Sequence, residues 1–214
     1  MKKEIFGKNS VDMINGPLFS GILKVAVPIM VMNIMQIMFN AADIAVLGIF
    51  VNDTAVAAVG TNGALISLIT GLFIGIAAGA NVIVARYIGS NNKEGIEKAI
   101  GSSLLLAFLG GFLVMGVGIA FAPTFLKWIK CDENVIGLAT KYLRIYFLGA
   151  PVMFLYNFSA QIMRAKGDSI RPMIYLIVSG VLNVILNVVF VLVFHTDVEG
   201  VAIATIISKH FRHF

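Results

Sequence analysis

Charge is scarce in this sequence. Only 13% of its 214 residues are Asp, Glu, Lys or Arg, against 59% hydrophobic residues and a mean hydropathy of +0.94. A soluble domain is typically about a quarter charged, so a water-soluble monomer is excluded. Cysteine is scarcer still: Cys131 stands alone. That rules out an intramolecular disulfide and a thiolate metal cluster, and nothing around Cys131 supplies the low-pKa surroundings of a redox thiol. Catalytic signatures are missing too. There is no HExxH zinc helix, no GxSxG elbow and no P-loop, and none of His195, His210 or His213 lies in the interior of a long apolar segment. Hydrolase chemistry therefore has no residues to carry it; the chain is expected not to be an enzyme and to need no bound cofactor. The net charge of +5 does not signal nucleic acid, because no segment interleaves Lys and Arg with aromatic residues.

What the sequence does have is apolar length. The charge-free runs Val25–Ala42, Thr54–Ala85, Ala99–Leu126, Ile145–Met163 and Pro172–Thr196 contain 18, 32, 28, 19 and 25 residues, and roughly 18 suffice for one bilayer crossing. The fold class is all-α, a polytopic membrane helix bundle of five complete transmembrane helices in a lipid bilayer. No stretch is left for a separate soluble domain.

Residues 1–20 read as a leader whose Asn15-Gly16-Pro17 turn precedes a helix starting near Leu18 and running to about Phe50. The second span follows after only Val51–Asp53, so the two are expected to be antiparallel neighbours. At about 1.5 Å per residue the second run is about 48 Å long against a core of about 30 Å, so it tilts or begins as an interfacial helix. Gly71, Gly75 and Gly79 share one face of it, which predicts tight packing against another helix. Gly89-Ser90-Asn91-Asn92 ends it and Lys93–Lys98 begins the third, which Pro123 is expected to close. Asp132-Glu133-Asn134 offers an N-cap and first-turn acids for the fourth, running through Tyr142, Tyr146 and Pro151 to Arg164. Gly167-Asp168-Ser169 turns the chain, Pro172 occupies the first turn of the fifth, and that helix ends near Phe194. Gly200–Ser208 begins a sixth span, but nine residues make only about 14 Å of helix, and the cations of Lys209–Phe214 would follow at membrane depth. The expectation is a membrane lobe over 21–208, truncated in its sixth helix by a premature stop, a frameshift or an incomplete coding segment, with 209–214 as a tail. Ten of the Lys and Arg residues between spans fall on the N-terminal side and four, Lys127, Lys130, Lys141 and Arg144, on the other, so the N-terminus is expected in the cytoplasm.

Polar residues break the apolar pattern at two places. Asn33, Gln36, Asn40 and Asp43 are spaced 3, 4 and 3, one continuous stripe ending in an acid. Ser179, Asn183 and Asn187 are spaced 4 and 4 on the fifth span. A carboxylate in lipid is costly unless it meets water, a cation or donors. Two such faces suggest a shared hydrated cavity whose hard oxygens suit a proton or an alkali cation such as sodium at Asp43. The alternative is that Asp43 sits near the outer interface and the amides bond helices together. Pro28 removes one backbone bond in the first span, leaving either a hinge or a structural kink.

At these residues the sequence resembles the multidrug and toxic compound extrusion family, the MATE transporters. The matches run in order: Pro28 to Asp43, Ala55-Val56-Ala57-Ala58-Val59-Gly60, Gly79 to Gly89, Arg164-Ala165-Lys166-Gly167-Asp168-Ser169-Ile170-Arg171-Pro172, Leu182-Asn183 to Asn187, and Gly200 to Thr205. The resemblance implies the N-terminal half of a twelve-helix, two-lobe fold that exports amphipathic cationic small molecules through the cell membrane by sodium or proton antiport. It implies a cation site of Asp43, Asn183, Asn187 and Thr205, with Gln36 and Tyr142 lining the cavity beside Asn33 and Asn40, and a missing C-terminal lobe as partner. Asn187 departs from the branch of the family that has an acid there, leaving Asp43 as the anion. Two other readings are a non-transporting half that assembles with a second lobe, and a lipid-linked oligosaccharide flippase of the wider superfamily. Cationic groove residues would favour the flippase, and the charge-free spans hold almost none.

Overall fold

The computed structural model describes residues 18–194 and 196–210. They form seven helices: α1 (Leu18–Phe50), α2 (Asp53–Gly89), α3 (Lys93–Trp128), α4 (Ile136–Leu148), α5 (Ala150–Ala165), α6 (Ile170–Leu192) and α7 (Val198–His210). Leu18–Ser20 are already helical, so the leader's last three positions belong to α1; the Asn15-Gly16-Pro17 turn and positions 211–214 lie outside the described residues. Four helices are long and apolar enough to cross a membrane, and α4 with α5, bent by 53° at their junction, are so only when taken together.

Local chemistry sets the helix ends. Asn52 and Asn92 each accept a hydrogen bond at Oδ1 from the backbone three residues on, 2.8 Å from Ala55 N and 2.9 Å from Gly95 N, capping α2 and α3. α2 is one uninterrupted helix of 37 residues, about 55 Å, so no separate interfacial segment precedes it. α5 ends on Gly167 at φ 79°, with Gly167 N–H on Arg164 O and Asp168 N–H on Met163 O, the paired bonds of a left-handed helix stop. Asp168 then accepts at Oδ1 from the N–H groups of Ile170 and Arg171, and its Oδ2 meets Arg171 Nε at 3.2 Å. The Arg164–Pro172 motif is thus a helix stop joined to a helix start.

Several boundaries differ from expectation. Pro123 lies inside α3, which continues to Trp128 because Ala122 and Leu126 are fully buried on either side of it; one missing bond does not outweigh that packing. Lys130, at φ 55°, marks the stop instead. Asp132 is not the cap of α4. Its side chain accepts from Asn134 N, and the helix begins four residues later at Ile136 with no side-chain cap. The fourth span breaks at Gly149, where Pro151 has no N–H for the previous turn. α6 ends at Leu192, two residues before the expected Phe194.

The main core joins one end of the bundle: Leu47 of α1, Ala58 of α2, Leu126 of α3, Leu143 of α4, Val201 of α7. The α1–α2 hairpin packs there, whereas Met32–Ile44 and Val59–Ile74 further along line an open cavity. Two smaller clusters, around Phe158 and around Val84, bind α2, α3 and α5. Close approach happens at glycines other than the expected ones. A Cβ at Gly71, Gly75 or Gly79 would meet nothing within 4 Å, so that face packs on no helix among the described residues. Instead Gly118 lies under the Phe147 ring, Gly111 admits the Pro151 backbone at the α4–α5 bend, and Gly180 of α6 seats the Phe39 ring of α1.

Gly180→Ala is therefore expected to push α1 off α6 and destabilise the chain by about 1–3 kcal/mol. Gly75→Ala should be neutral or gain up to about 1 kcal/mol of helix propensity. Unfolding temperatures of the purified variants in detergent separate the two.

Candidate functional site

Helical spacing turns Asn33, Gln36, Asn40 and Asp43 to one side of α1, where all four line a cavity of about 410 Å³. α2 supplies Gly63, Ser67 and Thr70; α4 and α5 supply Tyr142, Tyr146, Asn157, Gln161 and Arg164; α6 and α7 supply Asn183, Thr205 and Lys209. The first three residues of the α1 stripe are exposed, while Asp43, at its end, is only 8% exposed. Pro28 is buried in the first half of α1 and does not border the cavity.

Asp43 is held by α6. The Phe39–Gly180 contact brings the helices together, and one turn further along α1 Asn187 Nδ2 donates to Asp43 Oδ1 at 2.5 Å. An ionised carboxylate only accepts, so the amide must turn its NH₂ toward Asp43 and its carbonyl away. That carbonyl oxygen has no hydrogen-bond partner in a side chain with zero exposure, a situation that costs about 1–3 kcal/mol until a cation or hydroxyl arrives. One turn back on α6, Asn183 Nδ2 donates to Thr205 Oγ1 at 3.3 Å, and Thr205 Oγ1 donates to Val201 O at 2.8 Å. The four residues assigned to a cation site thus form two bonded pairs one helical turn apart.

The second stripe divides its work. Asn183 faces the cavity; Asn187 stands behind Asp43; Ser179 donates to Ser208 O at 2.7 Å and ties α6 to α7 without bordering the cavity. The two polar stripes thus both line the cavity and bond helices together, through different residues. Tyr142 is 4% exposed and stacks on Tyr146 with ring centres 6.4 Å apart. Among the described residues no three His, Cys, Asp or Glu side chains gather as metal ligands; the donors beside Asp43 are amides and a hydroxyl, an oxygen set that suits a hard cation of low charge.

Five residues were not legible in the sequence as parts of the site or its walls. Asn157, Gln161 and Arg164 are spaced 4 and 3 on α5, the same signal that exposed the α1 stripe, but the charge-free run was cut at Met163 and its polar content passed over. Lys209, expected at membrane depth, reaches into the cavity instead: its Nζ donates to Tyr146 Oη at 3.2 Å, lies 4.4 Å from the Tyr146 ring centre, and interacts electrostatically with Asp43. Asn62, fully buried on α2, donates to Ala58 O and Ala139 O and so ties α2 to α4.

The Asp43–Asn187 bond can be weighed directly. Asn187→Leu is expected to cost about 1–3 kcal/mol in the native background and less in Asp43→Asn. A double-mutant cycle on thermal unfolding should give a coupling of at least about 0.5 kcal/mol.

The MatE family model matches residues 28–189. The chain is 32% identical over 186 residues to the probable multidrug resistance protein YoeA of Bacillus subtilis, covering 85% of this chain and 40% of YoeA. It is 28% identical over 201 residues to the probable multidrug resistance protein YpnP of the same organism, covering 92% and 44%. Among solved structures, the crystal structure of MATE in the bent conformation superposes with a TM-score of 0.88 at 25% identity, covering 97% of this chain and 46% of that one. The chain spans less than half the length of each of these proteins.

Proposed function

Since the chain belongs to the MatE family, a family of multi-pass membrane transporters, we propose that it is the first lobe of a secondary active exporter of amphipathic small molecules in the cell membrane. The carrying observation is the Asp43 carboxylate, nearly buried in the cavity wall, beside the fully buried and unpartnered carbonyl oxygen of Asn187. A proton on Asp43, or a sodium ion held by Asp43, Asn187, Asn183 and Thr205, neutralises the charge that burial makes costly. Its departure restores that charge, so the local structure differs between loaded and empty states. That difference is what couples an ion gradient to a conformational change. Pro28, which leaves one α1 backbone carbonyl without its helical N–H partner, is where α1 bends between the two. Alternating access needs two lobes to rock against each other, so this half acts together with a second six-helix lobe.

In a two-lobe protein carrying this chain, Asp43→Asn should abolish gradient-driven efflux in vesicles while leaving the protein in the membrane; unchanged efflux under both sodium and proton gradients overturns the assignment. The 214-residue chain alone should show no efflux. Orientation has its own probe in Cys131, which lies in the α3–α4 connection. With the N-terminus in the cytoplasm, a membrane-impermeant maleimide added to intact cells should label it from outside. Burial, and secondarily the neighbouring Asp132, push the thiol pKa up, so labelling should be slow at neutral pH and accelerate at higher pH as thiolate forms.

A further inference from the structure

Resting on the reading of this cavity as a substrate path, we infer that Arg164 forms a binding site for an amphipathic anion at the end of the cavity away from Asp43. Arg164 stands near the end of α5 and lines the cavity. Its Nη2 lies 3.6 Å from the Met32 sulfur, and its Nε is buried without a hydrogen-bond partner. Among the described residues it makes no ion pair. A thioether is a weak acceptor, so a permanently charged guanidinium stands in a partly desolvated place with Met32 and, electrostatically, Tyr156 as neighbours and no anion among the described residues. Met32 and Asp43 are eleven residues apart on α1, about 16 Å, so Asp43 does not neutralise it.

The rest of the cavity points to the same ligand charge. Asp43 already has Asn187 as donor and Lys209 as electrostatic neighbour. The formally charged side chains on the lining are Asp43, Arg164 and Lys209, one anion against two cations. A cationic amphiphile would have to share Asp43 with Lys209 and pass Arg164, which has no anion beside it among the described residues. A carboxylate, sulfonate or phosphate would supply the missing acceptor for the planar guanidinium fork, with the Gln161 amide one turn away on α5. Phe39, Met153 and Tyr156 give the apolar body a wall. The anion can be a soluble amphiphile or the headgroup of an anionic lipid, since both present the same oxygens above an apolar moiety.

The test uses the purified 214-residue chain in nanodiscs of zwitterionic lipid, with radiolabelled taurocholate as the anionic probe and tetraphenylphosphonium as the cationic one. Wild type should bind taurocholate more tightly than tetraphenylphosphonium. Arg164→Gln should weaken taurocholate binding by about tenfold or more, the scale of one charge-assisted hydrogen bond, with Arg164→Lys intermediate and tetraphenylphosphonium binding not weakened. If Arg164→Gln does not yield monodisperse protein, Arg164→Lys and the wild-type probe preference decide the matter. Displacement of taurocholate by phosphatidylglycerol in the nanodisc identifies the lipid headgroup as occupant; no displacement identifies a soluble amphiphile. Either supports the site. Tighter tetraphenylphosphonium binding by wild type, or taurocholate binding indifferent to Arg164, overturns it. Asp43→Asn should retain taurocholate binding, so loss of coupling and loss of this site are read separately.

Discussion

Inside a bilayer, a polar group that finds no partner has no water to fall back on, and that constraint organises this bundle. The apolar surfaces of α1, α2, α3 and α6 can slide in lipid at little cost, because hydrocarbon is as good a neighbour as another leucine. What fixes register is the small set of groups that must be satisfied. Asn187 on Asp43 sets α6 against α1; Ser179 on the Ser208 carbonyl and Asn183 on Thr205 set α7 against α6. Asn62 on the Ala139 carbonyl sets α4 against α2, and Asn81 on the Gln161 carbonyl sets α5 against α2. Gly180 permits the close approach of α1 to α6 that the first of these bonds needs, while Gly111 and Gly118 let α3 approach α5 and α4.

The same constraint explains which parts of the structure could be read from the sequence. Spans were legible because crossing lipid demands long charge-free runs, and α1, α2 and the start of α3 fall where turn and cap residues put them. The α1 stripe was legible because a polar residue every three or four positions has no reason to exist on a lipid-facing helix. The break at Gly149 was not. A Gly-Ala-Pro stretch is compatible with a kinked continuous helix as well as with a break, and the choice depends on Gly111 of a different helix admitting the Pro151 backbone. The glycine face of α2 was misjudged for the same reason: three missing side chains mark room for a neighbour but do not supply one. Arg164 was missed because charge delimits the spans, which assigns a charge at a span's margin to the outside; Lys209 falls at membrane depth in the sequence, but nothing there shows that it reaches into the cavity.

The turn between α5 and α6 shows how a strong sequence signal can be structural. Gly167 is there because φ 79° is strained for any residue with a Cβ, and Asp168 because its carboxylate answers the first N–H groups of α6. Neither touches the cavity. Their effect on it is indirect, since they set how α5 and α6, which carry Arg164 and Asn187, enter the membrane.

One asymmetry in the packing has a mechanical meaning. α1 is gripped near its C-terminal end by Leu47, fully buried in the main core, and at its middle by the Phe39 ring on Gly180. Toward its N-terminus one face of α1, with Ile22, Leu23, Val27, Met30 and Ile34, turns outward, while Gly21, Pro28 and Met32 stay buried on the other. A rod held along one side for its whole length cannot tilt at one end alone. Any tilt of α1 at the Pro28 end is carried along the same packed face to the carboxylate.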